Sequence, residues 1–360
     1  MDILYTYRQK RIMVSNQHST RKEILSLHIL RVVVIWGIVI YHGSILIQDR
    51  LGITYPYFFS KFLYSGVDVL FVLSGFLIYL QNHKNFATES ISKAWHFLKK
   101  RAIRIVPLYE LLTLGLVAIY VLVPHLSNSI PHPVAIIKSL FFWPAYWPVL
   151  SVGWILSYQL YFYLLFSLLI IKKTQPIFWI IMSLSLILNL MKINLFLFNY
   201  FNLEFLLGLA SAYCYINYPK AAKSILISYG ISILALSITL DVFYDTILKD
   251  SLRVLFYGIS SFFFIWGAAL IEIKVRVKIL NFIKILSDSS YALFLSHYPM
   301  LAFSSLIVFK TRRFFVLEWL IISLLAIFLG VLIYQYIEQP LTSFLSALFT
   351  KHEKGVYRRK

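Results

Sequence analysis

Apolar stretches of about 18 residues or more recur from Ile24 to Glu338 of this 360-residue chain, broken only by short polar or basic segments. A helix of that length crosses a hydrocarbon core about 30 Å thick. Lipid admits only helices and closed barrels, because every backbone N–H and C=O must be satisfied internally, and these runs lack a barrel's alternation. The predicted fold class is therefore an all-α polytopic membrane protein. About ten transmembrane helices fall near 24–47, 58–80, 105–123, 153–171, 177–191, 195–216, 224–240, 252–271, 289–309 and 316–338. Hydrophobic residues make up 60% of the chain and charged ones 14%, which excludes a soluble domain with a polar surface. Residues 24–341 form one membrane domain, flanked by an N-terminal tail (1–23) and a basic C-terminal tail (342–360), neither long enough to fold separately.

The net charge of +19 raises the question of a nucleic-acid partner, and its distribution answers it. Arg8, Lys10, Arg11, Arg21, Lys22, Lys99, Lys100, Arg101, Arg104, Lys172, Lys173, Lys274, Arg276, Lys278 and Arg358-Arg359-Lys360 fall in segments on one side. Lys310, Arg312 and Arg313 are the main cations on the other. This asymmetry sets orientation, with both termini cytoplasmic, and accounts for the basicity without nucleic acid. The basic face also favours anionic membrane lipids. Cys214 is the single cysteine, so neither an internal disulfide nor a CxxC site is expected. Residues 1–23 are polar and basic, and the first apolar run is too long for a cleavable signal, so none is expected.

Polar residues inside the spans carry the functional information, because lipid tolerates them poorly. Arg31 and His42 lie eleven residues apart on the first span, about three turns, so both occupy one face roughly 16 Å apart along the axis. The alternative has Arg31 snorkelling and His42 at the outer headgroup level. Asp68 sits in the second span near Gly66, with Ser74-Gly75 below it, and Arg31 is the nearest candidate partner in sequence for a pair that is either functional or structural. Arg101 and Arg104, one turn apart at the inner mouth, either set topology or grip a phosphate-rich ligand. Gln159 lies about two turns into the fourth span, near the expected depth of His42, while Glu204 falls mid-membrane in the sixth. His297 lies two turns into the ninth, where Pro299 predicts a kink. Pro340 is expected to stop the tenth helix after Glu338. The segment 124–148 is too interrupted to span and is expected at, or dipping into, the outer interface. Its Trp143, Tyr146 and Trp147 form either an aromatic belt or a platform for a sugar ring.

Several of these stretches, in this order, resemble the integral-membrane acyltransferase family 3. They are LRVVVIWGIVIYH with its arginine-ten-residues-histidine spacing, SGVDVLFVLSGFLI, KRAIRIVPLY with its RxxR, PVLSVGWILSYQLYFY, NLEFLLGLASAY, SDSSYALFLSHYP and YIEQPL. The resemblance runs from Leu30 to Leu341 and implies a bacterial inner-membrane enzyme. Its implied reaction passes an acyl group, usually acetyl from cytoplasmic acetyl-CoA, to a hydroxyl of an extracytoplasmic or lipid-linked glycan such as lipopolysaccharide or exopolysaccharide. By resemblance His42 is catalytic, as general base or as nucleophile. Arg31 positions the donor or stabilises developing charge, and Arg101 and Arg104 hold the CoA phosphates. Asp68, Ser74, Gln159, Glu204 and His297 support the acceptor side. No bound cofactor and no metal are expected. Gln159 departs from the family's glutamate, and Ser287 from its glycine. Gln159 also keeps open a non-catalytic polysaccharide exporter or flippase on the same scaffold. A purely structural subunit would not need so many buried polar residues.

Overall fold

A computed structural model describes residues 24–86, 88, 90–123, 131–144, 147–193, 195–243, 251–308 and 314–357. The tail 1–23, Tyr146, Lys310, Arg312, Arg313 and residues 358–360 lie outside the described residues. The chain is an all-α bundle. Its helices are α1 (Leu25–Leu51), α2 (Tyr55–Ser60), α3 (Gly66–Asn82), α4 (Ile91–Leu122), α5 (Pro133–Leu140), α6 (Trp154–Ile170) and α7 (Gln175–Leu190). They continue with α8 (Phe201–Asn217), α9 (Lys223–Phe243), α10 (Ile259–Ala269), α11 (Val277–Asp288), α12 (Ser290–Val308), α13 (Phe315–Ile333) and α14 (Gln339–Tyr357). A helix lies in each of the ten expected segments, and among the described residues seven helical stretches are long and apolar enough to cross a membrane by themselves. In the sixth, eighth and ninth segments, α8 and α10 are short and α12 carries His297 and Pro299.

Three local readings change. The predicted inner loop 81–104 is half helix, because α4 begins at Ile91, where Ser90 caps it by accepting from Lys93 N–H at 3.4 Å, and runs unbroken for 32 residues. Lys99, Lys100, Arg101 and Arg104 therefore ride on a rigid helix. Pro107 sits inside it, where a missing N–H loosens the backbone ladder. Nearby, Tyr291 Oη donates to Ile105 O at 2.7 Å, pinning α12 to this weakened turn. Pro340 does not stop the last helix. A π turn at Tyr334–Glu338 widens the backbone, and Pro340 then falls in the first turn of α14, where its absent N–H is not required. The third change is α11, an amphipathic helix not expected between the eighth and ninth spans. It exposes Ile279, Phe282 and Ile285 while burying Ser287.

The segment after α4 doubles back. Tyr109 Oη donates to Ser139 O at 3.2 Å, and its ring lies 4.6 Å from that of Phe142. Tyr109 precedes the end of α4 by 13 residues, so α5 returns roughly 20 Å along that helix. Trp143 and Trp147, in the coil that follows, are exposed at 59% and 75%.

The tightest helix pair is α3 against α8. A Cβ on Gly75 would come within 2.3 Å of Phe205 O, and one on Gly208 within 2.1 Å of Val72 O. Both obstacles are backbone, which cannot swing aside, so only glycine permits the approach. Below it, the Phe162 and Phe205 rings stack at 3.8 Å between α6 and α8. Gly208→Ala should therefore force the helices apart and lower stability by ~1–3 kcal/mol, read as a reduced melting temperature in detergent. An unshifted melting curve would show that this contact is not needed.

Candidate active site and its access cavity

The centre of the bundle brings together two histidines that are 255 residues apart. His42 on α1 and His297 on α12 face each other with Nδ1 of the first 3.2 Å from Nε2 of the second. Backbone carbonyls fix which nitrogens hold hydrogens, because a carbonyl oxygen only accepts. His297 Nδ1 lies 2.7 Å from Phe294 O and 3.2 Å from Leu293 O, so it carries the ring hydrogen. His42 Nδ1 lies 3.0 Å from Ile38 O and carries its own hydrogen, which His297 Nε2 is placed to share. In the neutral pair His42 Nε2 is left with a free lone pair. Tyr41 and Tyr298 meet the His42 ring edge-on at 5.2 and 5.3 Å, and His297 is fully buried while His42 is half-buried. The pair thus holds His42 in one tautomer and one orientation, with a lone pair able to accept a proton. Spacing identified both residues but not their contact, since nothing local in sequence says that α12 packs on α1.

A two-part cavity approaches this pair from the basic end of the bundle. Its outer part, about 940 Å³, is lined by Lys93, Trp95, His96, Lys100, Arg101 and Arg104, with Glu338 on the far wall. Its inner part, about 400 Å³, runs between α1, α3, α6 and α12, past Arg31, Ser74, Gln159 and Tyr163. Gln81, Arg101, Arg104 and Asp288 line both parts and mark where the two adjoin. Ile35 and Phe294 mark the deep end. His42 lies about two turns further along α1, and His297 about one turn further along α12.

Arg101 is held there by aromatic faces, its guanidinium 5.4 Å from the Phe97 ring centre and 5.7 Å from that of Tyr163. Its Nη2 donates to Gln81 Oε1 at 2.9 Å, while its buried Nε has no partner among the described residues. Such a fork is fixed in place with a donor to spare, which suits an anion.

Two expectations are corrected here. Asp68 does not pair with Arg31. Fully buried, it takes a bidentate ion pair from Arg253, with Nε 2.5 Å from Oδ1 and Nη2 2.7 Å from Oδ2. Arg253 immediately precedes the π turn Val254–Gly258 that opens the eighth span, and its guanidinium lies 4.5 Å from the Tyr64 ring centre. Proximity in sequence pointed to the wrong arginine because α3 packs against this turn and α8 through its Asp68 face. Glu204 on α8 shares the surroundings of Asp68 and Arg253, with both its oxygens buried and its carboxyl group against that of Asp68. Asp68 and Glu204 therefore belong to a buried charge cluster rather than to the cavity. Gln159 is the second correction. It lies in the inner cavity with Arg31 and donates from Nε2 to Tyr163 Oη at 2.6 Å, rather than sitting beside His42. Arg31, Ser74, Gln159, Arg101 and Arg104 line the two-part cavity; His42 and His297 stand beyond its end. Arg253 was missed, although an arginine opening an otherwise apolar span was a visible signal.

Fold and site define a polytopic all-α membrane protein with a histidine pair at its centre. The sequence pattern of the acyltransferase 3 family, described as an acyltransferase domain, matches residues 24–335, and the chain belongs to that family. It is also similar to the exopolysaccharide production protein ExoZ of Rhizobium meliloti (strain 1021), with 38% identity over 112 residues. That match covers 29% of this chain and 33% of the relative, so the chain spans about a third of that protein. No solved structure matches.

Proposed function

We propose that this chain transfers an acyl group, acetyl in the simplest case, from cytoplasmic acyl-CoA to a hydroxyl of a glycan across the bacterial inner membrane. The observation that carries this reading is the succession from the basic vestibule, past Arg101 and Arg104, to an inner cavity that ends one to two helical turns short of the His42–His297 pair. An anionic nucleotide head fits the vestibule, and a slender arm fits the inner cavity. The similarity to an exopolysaccharide production protein supports a surface glycan as acceptor.

In the proposed reaction His42 Nε2 takes the proton of the acceptor hydroxyl as its oxygen attacks the thioester carbonyl. The tetrahedral intermediate collapses by breaking the carbon–sulfur bond, and the proton passes to the departing thiolate. His297 Nε2 holds the His42 Nδ1 hydrogen throughout, so the catalytic lone pair stays aimed at the acceptor. Arg31 acts on the donor rather than on the oxyanion, because its Cα lies roughly 16 Å down α1 from His42.

Arg101→Ala tests the donor end. Losing a charged hydrogen-bond donor removes ~1.5–3 kcal/mol, so the KM for acetyl-CoA should rise roughly ten- to a hundredfold with the protein inserted normally. Unchanged donor affinity in both Arg101→Ala and Arg104→Ala would return these residues to setting topology. Comparing acetyl esters on surface glycan from cells with and without the chain tests the reaction as a whole.

A further inference from the structure

We infer that Gln159 and Tyr163 form an amide-reading pair, which binds one secondary amide in the arm of the donor. This deepens the acyl-CoA reading and rests on it. The pair is one turn apart on α6 and spends one Gln159 hydrogen and one Tyr163 lone pair on its own 2.6 Å contact. The contact leaves the Gln159 carbonyl oxygen as an acceptor and the Tyr163 O–H as a donor, side by side in the wall of the inner cavity. A secondary amide presents the complement, one N–H and one C=O. Turning the carboxamide over exchanges donor and acceptor together, so complementarity survives either orientation.

Leu70, Ile78 and Ile155 stand among the apolar walls of this cavity, and Arg31 and Ser74 are among its other polar groups. Arg101 limits Tyr163 further, its guanidinium lying against the ring face and holding the ring plane. The pair sits between Arg101 and the deep end, where the middle of a slender arm must pass.

The carboxylate introduced by Gln159→Glu would take the Tyr163 hydrogen, leaving two acceptors and no donor. The amide carbonyl of the ligand would then lose its donor at this pair, at the cost of about one neutral hydrogen bond. Restoring a carboxylate should therefore weaken the donor, whereas a carboxylate serving His42 should speed the reaction.

The test measures binding of acetyl-CoA to the full-length protein in detergent, beside an analogue whose amide nearest the sulfur is replaced by an ester. The ester keeps the carbonyl and lacks the N–H. Wild-type protein should prefer the amide roughly three- to tenfold, the size of one neutral hydrogen bond. Gln159→Leu should bring that ratio to about one. Gln159→Glu should bind acetyl-CoA roughly three- to tenfold more weakly yet keep the preference, since its oxygen still accepts the N–H. Tyr163→Phe should weaken amide and ester donors equally. A wild-type ratio retained in Gln159→Leu, or faster turnover in Gln159→Glu, overturns the pair alone. Absence of acetyl-CoA binding to wild-type protein overturns it together with the donor reading.

Discussion

Replacing His42 with alanine should cut acyl transfer by about 10²–10⁴-fold while the protein inserts and folds normally. The lone pair on His42 Nε2 is the basic atom that the hydrogen bonds of the pair leave unused. His42→Gln keeps a polar side chain of similar size without a basic nitrogen and should be equally inactive. His297 acts through His42, and its variants should grade accordingly. His297→Ala removes the acceptor for the Nδ1 hydrogen, whereas His297→Asn offers a carbonyl oxygen in the same direction. Partial rescue by asparagine marks a positioning role, because a merely space-filling residue would be served equally well by alanine and asparagine or by neither. Acyl esters on surface glycan are the readout. Full acylation in a well-expressed His42→Ala strain would sink the catalytic assignment. Loss of glycan from the surface with its ester content unchanged would identify an exporter.

Arg253→Met should be the most destabilising single change in the bundle, at ~3–5 kcal/mol. Asp68 is fully buried, and both its oxygens are held by the one guanidinium. Without Arg253 the Asp68 carboxylate is left in the interior without its cation, beside a second buried carboxyl, Glu204. Methionine matches the arginine stem, so lost packing contributes little. The double variant Asp68→Leu with Arg253→Met removes both charges and should recover most of the loss, since neutral pairs of similar volume often replace buried ion pairs without penalty. Thermal unfolding in detergent reads both variants. A double variant as unstable as Arg253→Met would mean that shape, rather than charge, dominates the site.

Period and composition made the helices legible, because an apolar run of sufficient length has few other fates in lipid. The intramembrane polar residues were legible for the same reason, and His42, Arg31, Gln159, Arg101 and Arg104 were found by it. Partner choice was not legible. Sequence distance favoured Arg31 over Arg253 as the partner of Asp68, and packing of α3 against the eighth span reverses that choice. Gln159 was placed by counting turns from the end of a span. The position of α6 along α4 is set by contacts such as Gly153 against Tyr109, which no count within one helix reveals. Pro340 misled because a helix-breaking residue was read alone, without the π turn that precedes it.

The Asp68–Arg253 bridge also joins two moments of synthesis. Its partners stand 185 residues apart, and a ribosome adds about 5–20 residues each second. The second span therefore leaves the translocon with its acid roughly 10–40 s before the matching guanidinium has been made. An aspartate near the middle of a lone helix opposes insertion by about 2.5–3.5 kcal/mol, so neighbours already in the membrane must shelter it, or it must wait close to the headgroups. Placement of Asp68 in the first turn of α3 shortens that wait, because the acid can remain wet until the bundle closes over it.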